Sequence, residues 1–137
     1  MIPLQLARRL VAAGLVWVPA PGDRFCIPDR GMDEDVFVLS TMTIEVHDLP
    51  GRTVIGFNGT TEWALDSVEQ DDVVWLPREE QLRELLGAAF VRLEQVTGGY
   101  AVTATAGNGE DRRFVDIDAE RAYARAVLSR LEVAQSG

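Results

Sequence analysis

Phe90-Val-Arg-Leu-Glu-Gln-Val-Thr-Gly-Gly-Tyr-Ala-Val-Thr-Ala-Thr105 is the stretch on which the fold turns. Leu82, Leu86, Phe90 and Leu93 fall at helical spacing and would carry a helix into its first half. Gly98-Gly99 is a hairpin signal, however, and Tyr100 to Thr105 reads as a returning strand. The hairpin reading is favoured. Gly107-Asn108-Gly109 is then the next turn and Arg112 to Ile117 a third strand. Asp118 caps a last helix, with Tyr123, Val127 and Leu131 inward beside Ala122, Ala126 and Leu128. Gln135 to Gly137 is a loose tail.

Working outward toward the amino terminus, Pro77 opens a helix with Glu79 and Glu80 in its first turn, where negative charge is favourable. Leu82, Leu85 and Leu86 form its apolar stripe, Glu79 and Arg83 are spaced as an ion pair, and Gly87 ends it. Before it, Val73 to Leu76 is a compact apolar run. Thr60 or Thr61 caps another short helix running through Val68. From Val16 to Phe57 the pattern is strands and turns. Val16 to Val18, Arg24 to Ile27, Asp35 to Ser40, Thr41 to His47 and Thr53 to Phe57 read as strands of an antiparallel meander with one face covered. Asp29 to Glu34 reads as an acidic loop. Pro3 to Ala13 is a helix with Leu6, Leu10 and Ala13 on one face, and Gly14 takes the left-handed position after it, with Leu15 folding back. The expected fold class is α+β: a meander in the first half, two short central helices, then a ββ(β)α unit. Residues 1–137 are read as a single domain with a candidate subdomain seam near 70–73.

Composition narrows the chemistry. The 137 residues include 13 Lys or Arg, and every one is arginine. A lysine-free chain can form neither a Schiff base nor a P-loop phosphate contact through lysine. One histidine, His47, and one cysteine, Cys26, cannot build a His/Cys zinc cluster without carboxylates or another chain, and one cysteine allows no intramolecular disulfide. The formal net charge of −9 repels phosphate backbones and argues against direct nucleic-acid binding. No apolar run reaches membrane-spanning length, and the amino terminus lacks the pattern of a secretory signal, so the reading is a cytoplasmic protein.

Each candidate site has a plainer reading beside it. Asp29, Asp33 and Asp35 are hard-cation ligands in type, but no EF-hand pattern surrounds them and a solvated loop accounts for them. His47 shares a strand face with Glu45 and precedes Asp48, which would suit a general base. Its opposite face carries Met42, Ile44 and Val46, so His47 points to solvent or an interface. Cys26 lies between Phe25 and Ile27, and a structural thiol is the simpler reading. The glycine-rich Gly56 to Gly59 and Gly107 to Glu110 match no nucleotide-binding pattern. Trp63 and Trp75, with Asp66, Glu69, Asp71 and Asp72, combine aromatic anchors with an acidic rim and form the candidate partner-binding patch.

Val54-Ile-Gly-Phe-Asn-Gly-Thr-Thr-Glu-Trp-Ala-Leu-Asp-Ser-Val68 and Val74-Trp-Leu-Pro-Arg-Glu-Glu-Gln-Leu-Arg-Glu-Leu-Leu86, with Leu6-Ala-Arg-Arg-Leu10 and Pro19-Ala-Pro-Gly-Asp-Arg-Phe25, resemble a family of small uncharacterised actinobacterial proteins. Some members carry a pilus-assembly label, which implies an ATPase-like localisation protein; the phosphate loop of such a protein is not among this chain's motifs. The resemblance implies a compact single-domain fold and brings no catalytic residues. The sequence therefore favours a non-enzymatic, cofactor-free and metal-free module acting on an unidentified protein partner, basic in character if it meets the acidic patch. An acidic inhibitor or DNA mimic, and a small metal-dependent or hydrolytic enzyme using His47, are the alternatives. A homodimer is expected if the meander leaves an apolar edge or face uncovered.

Overall fold

The computed structural model describes residues 1–27, 32–39, 45–49, 52–56, 67–69 and 73–136. In chain order these form α1 (Leu4–Ala12), β1 (Arg24–Ile27), β2 (Met32–Val38), β3 (Glu45–Leu49), β4 (Arg52–Gly56), β5 (Ser67–Glu69), β6 (Val74–Leu76), α2 (Glu79–Leu86), a single 3-10 turn (Gly87–Ala89), β7 (Phe90–Val96), β8 (Gly99–Thr105), β9 (Asp111–Asp116) and α3 (Ala119–Ser136). The fold class is α+β. The chain forms two compact units: one joins Met1–Val16 to Pro77–Gly137, and the other is Trp17–Leu76. The second is thus inserted, in chain order, between α1 and α2 of the first. The seam expected near 70–73 compares with a division that follows Leu76.

The split unit contains β7-β8-β9 as an antiparallel sheet with β8 central. Phe90 to Val96 is a strand because Gly87, at φ 55°, ends the helical turn and the Val96↔Gly99 register closes the hairpin. A register irregularity between Phe90 and Arg92 leaves Val91 as an extra residue. Phe90 stacks on Tyr123 at 5.7 Å between ring centroids. Arg83, spaced in sequence to pair with Glu79, lies over the Phe90 ring at 4.4 Å. Flanked by two strands and covered by α3, β8 buries Ala101, Val102, Thr103 and Ala104.

α3 begins where the sequence places it. Asp118 Oδ1 accepts the Glu120 N–H at 3.0 Å, satisfying a donor of the first turn. Its Ala122 and Ala126 are fully buried, and such small side chains permit close approach to the sheet. The helix runs on to Ser136, through Gln135 and Ser136, both expected as tail; Gly137 lies outside the described residues. α1 packs against α3 through buried Leu6, Ala7 and Leu10. Complete burial of a leucine such as Leu10 or Leu82 contributes about 1.5–3 kcal/mol. After α1, Gly14 adopts φ 107°, while Leu15 N–H donates to Leu10 C=O and Gly14 N–H to Val11 C=O, both at 3.0 Å. That bond pair closes the helix end with the fold-back expected of Leu15. In α2 the Arg78 N–H donates to Gln81 Oε1 at 2.9 Å, so Arg78 is the cap, and Pro77, expected to open the helix, precedes it.

The inserted unit carries two antiparallel three-stranded sheets, β2-β1-β6 and β3-β4-β5. The expected meander is therefore divided: β3, β4 and β5 pair in chain order, but β6 returns to pair with β1. Three local expectations are corrected. Ser67 and Val68 lie in β5, paired with Gly56 and Ile55, and are not the end of a helix. Met32 to Glu34 belongs to β2, because Met32 pairs with Ile27, and is not part of a loop. Val16 to Val18 forms no strand; Val16 and Val18 are exposed and Trp17 is buried. What fixes Trp17 is Asp23, itself 1% exposed, whose Oδ2 accepts the indole N–H at 2.8 Å and the Ala20 N–H at 2.9 Å. A buried carboxylate oxygen is kept only where donors replace water. Phe25, Ile27, Leu39 and Val73 complete this core with Trp17, and Phe37 and Trp75 pack against it.

Candidate functional site

Of the sequence-derived patch, Trp63, Asp66, Asp71 and Asp72 lie outside the described residues. Glu69 ends β5 opposite Val54. Trp75 sits in β6 opposite Phe25, half-buried between buried Val74 and Leu76. Its ring stacks on Trp17 at 6.4 Å with 12° between the planes, so much of its apolar surface is spent within the core. Its indole Nε1 is buried and has no hydrogen-bond partner among the described residues.

The other candidates are separated by pairing. His47 lies in β3 opposite Val54, with Glu45 opposite Gly56 and Asp48 opposite Thr53. Asp29 falls outside the described residues, while Asp33 and Asp35 lie within β2. Cys26 is a buried thiol in β1, opposite Val74; Phe25 and Ile27 are buried too, so both faces of this central strand are covered.

The sequence reading missed a groove built wholly within the split unit. It is an open cavity of about 510 Å³ between α1, β9 and α3. α1 contributes Arg9, β9 contributes Arg112 and Phe114, and α3 contributes Arg125, Leu128, Ser129, Glu132 and Val133. The α3 residues recur at helical spacing and form one stripe. Arg112 and Phe114 alternate on one face of β9, the face turned to α3. Arg112 Nη1 reaches Ser129 Oγ at 3.4 Å, and on the same face Asp116 meets Arg125.

Three guanidinium groups therefore gather on a strongly acidic chain, and their compensation is unequal. Arg125 Nε lies 2.8 Å from Asp116 Oδ2, whose side chain is only 8% exposed, a charge-assisted contact that fixes the arginine. Arg9 Nη2 is 3.5 Å from Glu132 Oε1, with both groups largely in water, a pair of small net value. Arg112 has a hydroxyl neighbour, Ser129, and among the described residues no carboxylate within ion-pair distance. The groove is thus net cationic, centred on Arg112, over an apolar floor of Phe114, Leu128 and Val133. Planar donor forks beside apolar surface suit a carboxylate-bearing ligand with an apolar part. The volume lies within the range of ligand-sized concavities.

The signal was present in the alternation of Arg112 and Phe114 and in the stripe on α3. Periodicity marks the face that a strand or helix presents, but not which separate elements share a cleft. No protein-family model, curated protein or solved structure matches the chain. Among the described residues, no helix is long and apolar enough to cross a membrane.

Proposed function

We propose that this chain is a small acidic protein that acts by protein–protein contact and docks its partner at the arginine groove of the split unit. The observation that carries this reading is the convergence of Arg9, Arg112 and Arg125 over an apolar floor. Arginine is enriched at protein interfaces because its fork pairs with carboxylates while its stem packs on apolar groups. Local positive charge within a chain of net charge −9 also sets orientation, since an acidic ligand is repelled elsewhere and attracted here. The acidic-aromatic segment containing Trp63, Asp66, Glu69, Asp71, Asp72 and Trp75 is proposed as a second contact surface, suited to basic groups.

Affinity capture from the source organism with wild-type and Arg112→Glu baits tests the proposal. Arg112 is exposed, so equal thermal midpoints are expected for the two baits. A partner held by the wild type is expected to be lost with Arg112→Glu and retained with Asp66→Asn. Retention of every captured partner by Arg112→Glu counts against the groove. Loss with Asp66→Asn instead assigns the contact to the acidic-aromatic segment.

A further inference from the structure

We infer that the groove takes an extended acidic segment of a partner protein, added as a fourth strand along the free edge of β9. This rests on the groove reading above and specifies the occupant. In the order β7-β8-β9, β9 pairs with β8 on one side, and among the described residues no strand pairs with its other side. An edge strand presents unpaired N–H and C=O groups, and a peptide that adds there gains main-chain hydrogen bonds while alternate side chains find two different surfaces.

Both surfaces of β9 suit one kind of segment. On the face turned to α3, Arg112 and Phe114 line the groove, and Arg9 and Arg125 stand across it. On the other face, Arg113 Nε is 3.5 Å from Glu94 Oε1, a contact shared with Arg92, and Val115 is 51% exposed. Ile117, just beyond the strand, is 71% exposed. A fourth strand of alternating character would set its acidic side chains beside Arg112 on the groove face and cover Val115 and Ile117 on the other face with its apolar ones. Cross-strand neighbours of opposite charge are favourable and those of like charge are not. A second copy of β9 brings its own arginines and its own net negative charge, and fits this edge less well than an acidic, apolar-spaced segment.

A short blocked peptide alternating glutamate and valine is the probe, with a lysine–valine peptide as control, both added to the full chain. Binding is read by calorimetry and by amide hydrogen exchange. The glutamate–valine peptide is expected to bind, to weaken as salt rises, and to protect the β9 amides that face away from β8. Arg112→Ala is expected to weaken it about tenfold, the scale of one charge-assisted hydrogen-bonded contact. The lysine–valine peptide is expected not to bind. Failure of the glutamate–valine peptide to bind overturns the inference, while the groove reading is judged separately by the capture experiment. Binding that depends on Arg112 without protection of β9 overturns strand addition and leaves the groove in place. A homodimer that dissociates on Arg112→Ala, seen by sedimentation, assigns the groove to a second copy and overturns the partner assignment.

Discussion

Tyr123 shows how one residue ties burial to charge. It is 1% exposed and stacks on Phe90, which carries Arg83 on its ring. Burial raises its pKa above the ordinary tyrosine value; Arg83 works against that rise and Glu79 adds to it. The folded state therefore holds the phenolic proton to higher pH than the unfolded chain does. Linkage makes the stabilisation complete below the unfolded value of about 10 and progressively lost as pH rises from there through the folded value. Urea midpoints are expected to show this alkaline loss in the wild type, and a smaller loss in Tyr123→Phe. Equal alkaline slopes in the two proteins would refute it. The same burial was legible in the sequence, since Tyr123 falls on the inward stripe of α3. Its aromatic neighbour was not, because Phe90 comes from another element.

At the scale of elements, the β7–β8 hairpin is the clearest case of a sequence signal with a steric cause. Gly98 has φ 80°, the left-handed turn position, and Gly99 is needed for a different reason. A Cβ at Gly99 would lie 2.2 Å from the backbone oxygen of Asp116, closer than any side-chain adjustment can relieve. Gly99→Ala is expected to force the end of β9 away and to cost about 2 kcal/mol or more, a backbone-clash effect. Chemical denaturation measures it; a change below about 0.5 kcal/mol, the size of an ordinary surface substitution, would show that the hairpin tolerates the side chain. The Gly98-Gly99 pair announced the turn, but which glycine meets which strand required the β8–β9 register. Two helix ends were equally legible: Asp118 caps α3, and Gly14 with Leu15 closes α1. The failures lie where no periodicity decides, as at Ser67 and Val68, or where one residue dominates a short run, as at Trp17. There Asp23 supplied a buried acceptor, and hydrogen bonding overrode strand propensity.

For the whole molecule, the division into two units gives separate spectroscopic handles. α1, α2 and α3 all belong to the split unit, whereas Trp17, Trp63 and Trp75 all fall within the inserted one. Leu10 is fully buried, and Leu10→Ala is expected to lower stability by about 2–5 kcal/mol. Its far-ultraviolet circular dichroism midpoint should fall accordingly, and the shift of the tryptophan fluorescence midpoint measures how strongly the units are coupled. An unchanged dichroism midpoint would mean that α1 adds little to its unit.

Local pattern alone determined the fold class, the helical character of α1, α2 and α3, the cap that starts α3, the hairpin after Val96, and the chemistries excluded by a lysine-free chain with one histidine and one cysteine. These follow from backbone preferences and side-chain periodicity, which act over a few residues and are written in order along the chain. Tertiary structure decided the rest. It returned β6 to β1, divided the meander into two sheets, joined α1 to elements that follow the whole inserted unit, and stacked Trp75 on Trp17. It also assembled Arg9, Arg112 and Arg125 into one groove. Each of these depends on contacts between residues far apart in sequence, and pairing of that kind is settled by register, burial and charge balance across the folded chain.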